Sequence, residues 1–205
     1  MYNSQSGQDQ FVLNVIKQKE NNYFLEIGSN DPININNSYV LEKEYNWQGL
    51  MVEYDSSWEQ EYIKHRQSKY IINDATKIDY LKFFKENNFP PNLGYLQIDL
   101  EVHNGSTIQT LELINCTILP EYKFATVTFE HDIYRGNYYN TRQRSREIFQ
   151  NQGYIRVFSD VKNQNNPFED WYVYPDLVNM EYVNQIKTDN SIEYTNIIDL
   201  MNIFK

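Results

Sequence analysis

The alternation of short apolar runs with amphipathic segments constrains the fold of this chain more than any other feature. Between residues 23 and 129, five apolar runs predict strands, and a segment with helical periodicity separates each run from the next. Strands that alternate with helices form parallel sheets, because the chain must cross one face of the sheet before the next strand begins. The predicted strands lie at residues 23–27, 50–52, 70–72, 94–100 and 124–129. The sequence therefore predicts an α/β fold with a doubly wound, mostly parallel sheet.

The last third of the chain departs from this alternation. A predicted helix at 141–151 precedes two strands, 154–161 and 170–174, which are joined by a polar loop without a helix. Such a connection implies an antiparallel hairpin, which we expect at the edge of the sheet. A first helix is predicted from Asp9 to about Lys19 and a final one over 197–204. With 205 residues and no internal repeat or linker, we expect a single domain over residues 1–205.

Acidic side chains recur where the apolar runs end. Glu26 and Gly28 close the first run in FLEIGSND, and Glu53 closes the second in MVEYD. In a doubly wound sheet these ends lie along one rim, which is where ligands bind. Glu-x-Gly alone also fits an ordinary turn, but a second acidic end, one strand and one helix later, favours a ligand site. The neighbours Ser29, Asn30 and Tyr54 are assigned to the same site.

These residue types suit a cationic ligand that carries a ribose. Glu26 would repel a phosphate but can accept hydrogen bonds from an ammonium or hydroxyl group. Glu53 can hold the two hydroxyls of a ribose, and Gly28, which lacks a Cβ, lets the backbone approach a ligand closely. S-adenosyl-L-methionine fits this description better than a dinucleotide does. The third strand ends at Asp74, which either meets an adenine amino group or forms an ordinary turn.

The amino-acid composition limits the kinds of ligand and partner that we expect the protein to bind. A net charge of −10 opposes a nucleic-acid partner, because nucleic-acid affinity depends chiefly on Lys and Arg. Neutral or cationic substrates are favoured. Cys116 is the only cysteine, which excludes an intrachain disulfide, and we expect it to be buried as a small apolar residue. No apolar run approaches the ~20 residues of a membrane span, and no leader is evident, so a cytoplasmic location is expected. The oligomeric state stays open.

The fourth and fifth strands end in groups that could act on a hydroxyl. The fourth strand carries Asp99 near its end and is followed by Glu101, and Glu130, His131 and Asp132 follow the fifth strand. An alcohol is a weak acid, so its methylation needs a base or a metal ion nearby. His131 is the best candidate base, with Asp99 or Glu130 orienting it; a hydrogen-bonded structural histidine is the alternative. Asp99, Glu130 and His131 are also candidate ligands for Mg²⁺ or Mn²⁺.

Two further clusters admit two interpretations each. Arg142, Arg144 and Arg146 could bind a phosphorylated acceptor, but their spacing spreads them over more than one helix face and favours a solvated surface. Aromatic residues in 134–139 and 171–174 offer flat faces for sugar rings, and core packing explains them equally well.

Seven pieces of the sequence, taken together, carry a resemblance to a known family. They are SQSGQD from Ser4, FLEIGSND from Phe24, NNSYVLEKEYNWQGLMVEYD ending at Asp55, NDAT from Asn73, YLQIDLE from Tyr95, FATVTFEHDIY from Phe124 and FEDWYVYPDLV from Phe168. These pieces resemble the FkbM-type family of S-adenosylmethionine-dependent methyltransferases. The resemblance spans most of the chain in the family's order, although Pro32 replaces a frequent glycine and LEVHNGST after Asp99 departs from the usual form. The bias toward Asn, Tyr, Ile and Lys is also similar to methyltransferase domains of large DNA viruses that modify capsid glycans.

The resemblance implies a class I methyltransferase (Rossmann-like) fold. This is a three-layer sandwich around a seven-stranded, mostly parallel sheet with one antiparallel strand. It also implies a role for each matching residue. Glu26 and Gly28 would line the methionine portion of the cofactor, Glu53 the ribose, Asp74 and Ala75 the adenine, and Gln8 and Asp9 the cofactor mouth, while Asp99, Glu130 and His131 would face the acceptor.

The activity implied by the resemblance is O-methylation of a sugar hydroxyl, for example on a terminal deoxyhexose such as rhamnose in a glycan. If the protein is viral, its location would be the host cytoplasm. The alternatives are an RNA or lipid methyltransferase and a non-catalytic, cofactor-binding interaction module. The RNA alternative is opposed by the acidic composition and by the lack of a basic companion to Asp99.

Overall fold

A computed structural model describes residues 2–16 and 22–204 and contains one mixed sheet flanked by helices. The helices are α1 (Gln8–Val15), α2 (Tyr39–Tyr45), α3 (Glu59–His65), α4 (Tyr80–Glu86), α5 (Ser106–Thr117), α6 (Tyr139–Asn151), α7 (Met180–Ile186) and α8 (Tyr194–Ile203). The strands are β1 (Tyr23–Ile27), β2 (Gln48–Glu53), β3 (Lys69–Ile72), β4 (Asn92–Ile98), β5 (Lys123–Glu130), β6 (Ile155–Asn163), β7 (Asn166–Val173) and β8 (Thr188–Glu193).

The order of the strands confirms the predicted α/β architecture. The sheet runs β3-β2-β1-β4-β5-β7-β6-β8. β1 to β5 pair in parallel, and β7 is antiparallel to both β5 and β6. The sheet has eight strands rather than the predicted seven, because β8 pairs in parallel with β6. The β6–β7 hairpin is therefore not at the edge, since β8 lies outside it.

Alternating side chains place helices on both faces of the sheet. In β1, Leu25 and Ile27 pack toward the core beneath α4, α5 and α6, while Phe24 packs on the opposite face with residues of α1, α2 and α3. Further along that second face, Trp171 of β7 packs with α1, α7 and α8. These buried layers confirm the predicted three-layer sandwich.

Details of two helices, α1 and α5, differ from the sequence-based expectations. α1 ends at Val15, and the part predicted from Lys17 onward lies outside the described residues. α1 begins at Gln8 rather than at Asp9, and its N-cap is Gly7, in a left-handed conformation. Cys116 is exposed rather than buried, since the buried stripe of α5 follows Thr107, Thr110, Leu111 and Ile114.

None of the helices in the described part of the chain is both long and apolar enough to span a bilayer.

Candidate functional site

A cleft of about 850 Å³ lies at the carboxyl ends of β1, β2, β4 and β5. The order of the strands reverses between β1 and β4, and such a switch point opens a crevice at the strand ends. Glu26 and Glu53 line this cleft together, with Asp99 and Glu130 from the two neighbouring strands. The acidic strand ends noted in the sequence therefore share one cavity.

The lining of the cleft is acidic and rich in amides. Among the described residues that line it, the only cationic side chain is Arg135, whose Nη1 lies 3.1 Å from Asp132 Oδ2. The carboxylates come from eight residues, Glu26, Asp31, Glu53, Asp55, Asp99, Glu101, Glu130 and Asp132. The amides also come from eight, Gln5, Asn30, Asn34, Asn37, Gln97, Asn163, Gln164 and Asn166. A surface of this kind repels phosphate groups and attracts cationic or neutral polar ligands.

Gly28 is required by the packing of the backbone. It has φ +81°, and a Cβ at this position would lie 1.6 Å from the carbonyl oxygen of Asp99. The Gly28 and Ser29 N–H groups both donate to the carbonyl of Val52, at 2.9 and 3.1 Å. The space left by the missing Cβ is therefore filled by the carbonyl of Asp99, while Gly28 also lines the cleft and its contact with a ligand stays a prediction.

Glu26 is buried at the end of β1. Its carboxylate accepts hydrogen bonds from the Asn37 N–H, at 3.0 Å, and from the Ser38 hydroxyl. Burial raises the pKa of Glu26, and the positive charge of Arg66 opposes this effect. Asn37 Oδ1, which is also buried, has no hydrogen-bond partner in the described part of the chain, and Asn37 lines the cleft.

Arg66 is a buried cation that sequence reasoning missed. Its side chain contacts several residues of the loop between β1 and α2. In the sequence, Arg66 simply follows a predicted helix, as many surface arginines do, so no local pattern marks it as buried. Its guanidinium donates to Glu42 Oε1, the Pro32 carbonyl, Asn36 Oδ1 and Ser38 Oγ at 2.7–3.2 Å. Because Ser38 in turn donates to Glu26, this network fixes the position of the Glu26 carboxylate.

Glu53 joins the turns that follow β1 and β2. Its Oε2 accepts from the Asn30 N–H at 2.7 Å, and its Oε1 accepts from the N–H groups of Tyr54 and Asp55, both at 2.8 Å. The Tyr54 side chain is 78% exposed at the cleft. One carboxylate thus positions both turns and keeps lone pairs available for a ligand.

Asp99 and Glu130 form a hydrogen-bonded carboxyl pair in the cleft. Burial raises the pKa of Asp99 to about 6. Burial, together with the charge of Asp99, raises the pKa of Glu130 far above its usual value, so Glu130 carries the proton of the pair at neutral pH. Asp132 lies beside them, and its side chain also shares a hydrogen bond with Glu130. Asp99 is therefore the ionised member of the pair above pH ~6.

His131 does not face the cleft. Its side chain is fully buried, and its Nε2 lies 3.3 Å from Asp160 Oδ1 and 3.6 Å from Asp170 Oδ1. Burial alone would lower the pKa of His131, but the two carboxylates outweigh this effect and raise it. The expectation of an acceptor-facing base at His131 is thus corrected in favour of a structural histidine.

Two arginines complete this buried network. Arg142 Nη1 lies 2.9 Å from Asp160 Oδ1, and Arg146 Nε lies 2.6 Å from Asp170 Oδ2. The prediction of a solvated surface is therefore wrong for Arg142 and Arg146, which are mostly buried. Arg144 fits that prediction, since it pairs with Glu112 at the surface.

The arginines also oppose a metal ion at this point. His131, Asp160 and Asp170 offer atoms within 4.8 Å of one another, and no other such group of three occurs among the described residues. The two guanidinium groups already neutralise both carboxylates, so a further cation would be repelled. The predicted metal ligands Asp99, Glu130 and His131 are not brought together, because His131 lies outside the cleft.

Four residues predicted to bind the cofactor lie outside the cleft lining. Asp74 accepts from the Thr76 N–H and pairs with Lys77 at 2.9 Å, and its neighbour Ala75 is buried. Gln8 Nε2 donates to Glu169 at 2.8 Å, and Asp9 accepts from the backbone and hydroxyl of a preceding serine. From this N-terminal segment, it is Gln5 that reaches the cleft.

The tip of the β6–β7 hairpin is a part of the cleft that sequence reasoning missed. Asn163, Gln164 and Asn166 line the cleft from the side opposite the β2 turn. The run NQNN was interpreted only as a polar loop. Four consecutive amides at a hairpin turn were the available signal, but the sequence alone does not place the turn beside β4 and β5.

Comparisons with known proteins give no family assignment. No protein-family model matches the sequence, and no curated protein matches it. The Schizosaccharomyces pombe Dnmt2 methyltransferase structure aligns with a TM-score of 0.46 and 12% identity, over 74% of this chain and 48% of that one, about half its length. A SAM-dependent methyltransferase from Archaeoglobus fulgidus aligns with a TM-score of 0.41 and 15% identity, over 87% and 78% of the two chains. Both scores are below 0.5, so neither likeness assigns a function to this chain.

Proposed function

We propose that this protein is an S-adenosyl-L-methionine-dependent O-methyltransferase that acts on a sugar hydroxyl. The observation that carries the proposal is the shared acidic cleft, in which Glu26, Glu53 and Asp99 meet at the switch point of the sheet. The FkbM-type resemblance supports the same activity. A terminal deoxyhexose such as rhamnose is the proposed acceptor.

The half of the cleft at β1 and β2 fits the methyl donor. S-adenosyl-L-methionine supplies an electrophilic methyl group on a positively charged sulfur. The buried acceptor Asn37 Oδ1 and the Glu26 carboxylate suit its ammonium group, and the Glu53 carboxylate suits its ribose hydroxyls. Tyr54, exposed beside Glu53, offers a flat apolar face for the adenine.

The half of the cleft at β4 and β5 fits a hydroxyl acceptor. Asp99 is the proposed base, because it lines the cleft and is ionised at neutral pH while Glu130 holds a proton. Asp99 would take the hydroxyl proton as the oxygen bonds to the methyl carbon and the carbon–sulfur bond breaks. The products are a methyl ether, S-adenosyl-L-homocysteine and a protonated Asp99. The proposed reaction uses no metal ion. A divalent ion that entered with the substrate would nevertheless find carboxylates in this half of the cleft.

Mass spectrometry after incubation with S-adenosyl-L-methionine and a panel of neutral glycosides tests the activity. We expect one methyl group to be added to a sugar hydroxyl. Asp99→Asn should lower turnover by about 10²–10⁴-fold, as loss of a general base does, while calorimetry shows retained donor binding. Asp189→Asn, the same chemical change at an exposed site on β8, is the control.

The pH dependence gives a second test of the base. Turnover should rise with pH through about 6, where Asp99 loses its proton. Donor binding without methylation of any glycoside would favour the non-catalytic cofactor-binding module. Methylation of RNA or of a lipid, and not of sugars, would show that the proposed acceptor is wrong. The acidic cleft opposes RNA as an acceptor.

A further inference from the structure

We propose that the tip of the β6–β7 hairpin is the acceptor subsite and that Asn163, Gln164 and Asn166 bind a neutral, hydroxyl-rich sugar ring. This inference rests on the proposed function and adds to it the residues that select the acceptor. It follows from the position of the tip, from its rigidity and from the chemistry of its side chains.

The tip lies at the reactive end of the sheet. β6 runs in the same direction as β5, because both are antiparallel to β7, so β6 ends at Asn163 beside the carboxyl ends of β4 and β5. Gln164 and Asn165 have φ values of 54° and 66°, which form a tight two-residue turn before Asn166. Residues 163, 164 and 166 line the same cleft as Asp99.

The tip is held from two sides. The Asn165 N–H donates to Glu193 Oε1 at 2.8 Å, which ties the turn to β8. Asn163 Nδ2 lies 3.4 Å from Ser6 Oγ, which ties the turn to the segment before α1. A turn fixed in this way presents its side chains with little loss of conformational freedom on binding.

The two outermost amides are free to bind a ligand. Gln164 and Asn166 are exposed, and their side chains make no hydrogen bond to any other described residue. A carboxamide carries two donor hydrogens and an acceptor oxygen, and therefore matches a hydroxyl, which is both donor and acceptor. Three amides within four residues suit a ligand with several adjacent hydroxyl groups.

The surroundings favour a neutral ligand. Arg135, the one cation that lines the cleft within the described chain, is already paired with Asp132, and the ionised carboxylates of the lining repel a phosphorylated sugar. Tyr134, which is 40% exposed, also lines the cleft; the Arg135 guanidinium lies 5.3 Å from the centre of its ring, so a sugar ring would pack on the part of the ring that Arg135 leaves open. An aromatic face combined with uncharged hydrogen-bonding groups is suited to a neutral carbohydrate.

Saturation-transfer NMR with methyl α-rhamnoside, with and without S-adenosyl-L-homocysteine, tests the subsite directly. We expect the glycoside to bind the wild-type protein, and we expect Gln164→Ala and Asn166→Ala each to weaken binding about three- to tenfold, as loss of one hydrogen bond does. In turnover assays both variants should raise the KM for the acceptor and leave kcat and the donor affinity unchanged. Asn190→Ala, an exposed asparagine on β8, should change nothing.

The outcomes separate this inference from the proposed function. If S-adenosyl-L-homocysteine binds but the glycoside does not, or if the two variants bind the glycoside as well as the wild type, the subsite is refuted and the donor site stands. Binding of spermidine or an RNA oligonucleotide in place of the glycoside also refutes it. If the glycoside binds through Gln164 and Asn166 while no donor binds, the subsite stands and methyl transfer is refuted. Unchanged melting temperatures show that the variants are folded.

Discussion

Gly28 shows how a single position can decide whether the site forms. Its conformation at φ +81° is one that side chains rarely adopt, and a Cβ there would overlap the carbonyl of Asp99. Asp99 is also the proposed base, so any shift of this backbone would displace the reacting carboxylate. Backbone hydrogen bonds at the same place join the ends of β1 and β4, where the order of the strands in the sheet reverses.

Gly28→Ala should destabilise the protein more than Gly153→Ala does. Both glycines have positive φ, +81° and +87°, and both variants should lose about 1–3 kcal/mol to backbone strain. A Cβ at Gly153 meets nothing closer than 3.5 Å, so only the Gly28 variant adds a steric overlap. Urea denaturation measures the difference. Equal losses in the free energy of unfolding would mean that β4 moves aside without cost.

The ends of the strands could be predicted from the sequence, but the direction of individual side chains could not. Glu26, Glu53 and Asp99 were found because each closes an apolar run, and parallel strands end at one rim. His131 was misassigned because consecutive residues near a strand end point to opposite sides. Glu130 and Asp132 line the cleft, and His131 between them turns toward the interior.

At the scale of elements, a buried ion network joins the end of β5 to α6, β6 and β7. His131 meets Asp160 of β6 and Asp170 of β7, and Arg142 and Arg146 of α6 bind the same two carboxylates. Burial tends to raise the pKa values of Asp160 and Asp170, but His131 and the arginines outweigh it and lower them. The network therefore fixes the base of the hairpin whose tip enters the cleft.

His131→Asn should reduce the dependence of stability on pH above neutrality. Because the pKa of His131 is raised on folding, its stabilisation is complete below the unfolded value of about 6.5 and is lost as the pH rises through the folded value. The variant should lose about 2 kcal/mol near pH 6, with a smaller deficit at higher pH.

Urea denaturation of both proteins at several pH values measures this effect. Only the difference between the two curves is diagnostic, since Asp99 and Glu169, with pKa values raised to about 6 and about 8, titrate in the same range. A deficit that is independent of pH would show that His131 stays neutral in the folded protein.

Elements with a periodic apolar pattern could be predicted, and those held only by tertiary pairing could not. β1 to β5 carry continuous apolar runs, and their parallel arrangement follows from the helices between them. β8 reads TDNSIE, with no alternation and with Asp189, Asn190 and Ser191 exposed. It is a strand because β6 offers it an edge, and no local signal in the sequence reports that pairing.

At the scale of the whole molecule, the negative charge is concentrated where the ligand is proposed to bind. The chain carries −10 overall, and eight of its carboxylates line one cleft. Such a cleft focuses a negative potential and attracts a cationic ligand from solution. Its field should therefore distinguish the methyl donor from its neutral product.

Salt should weaken binding of S-adenosyl-L-methionine more than binding of S-adenosyl-L-homocysteine. The sulfonium gives the donor one more positive charge than the product has, and the screening length falls from about 10 Å at 0.1 M salt to about 3 Å at 1 M. Across that range we expect the Kd of the donor to rise about tenfold and that of the product less than about twofold. Calorimetry at both salt concentrations measures this, and equal changes would show that the cleft does not recognise the sulfonium charge.

The eighth strand has a consequence for the behaviour of the protein in solution. Without β8, the outer side of β6 would expose a row of unsatisfied N–H and C=O groups, onto which strands from other molecules could stack. β8 covers that row, and its own outward residues, among them Asp189 and Asn190, are polar and resist lateral stacking. A chain shortened before Thr188 would lose this cover and also α8, which packs on the core around Trp171, so it should form aggregates with ribbon-like contacts between molecules, even though every residue that lines the cleft would still be present.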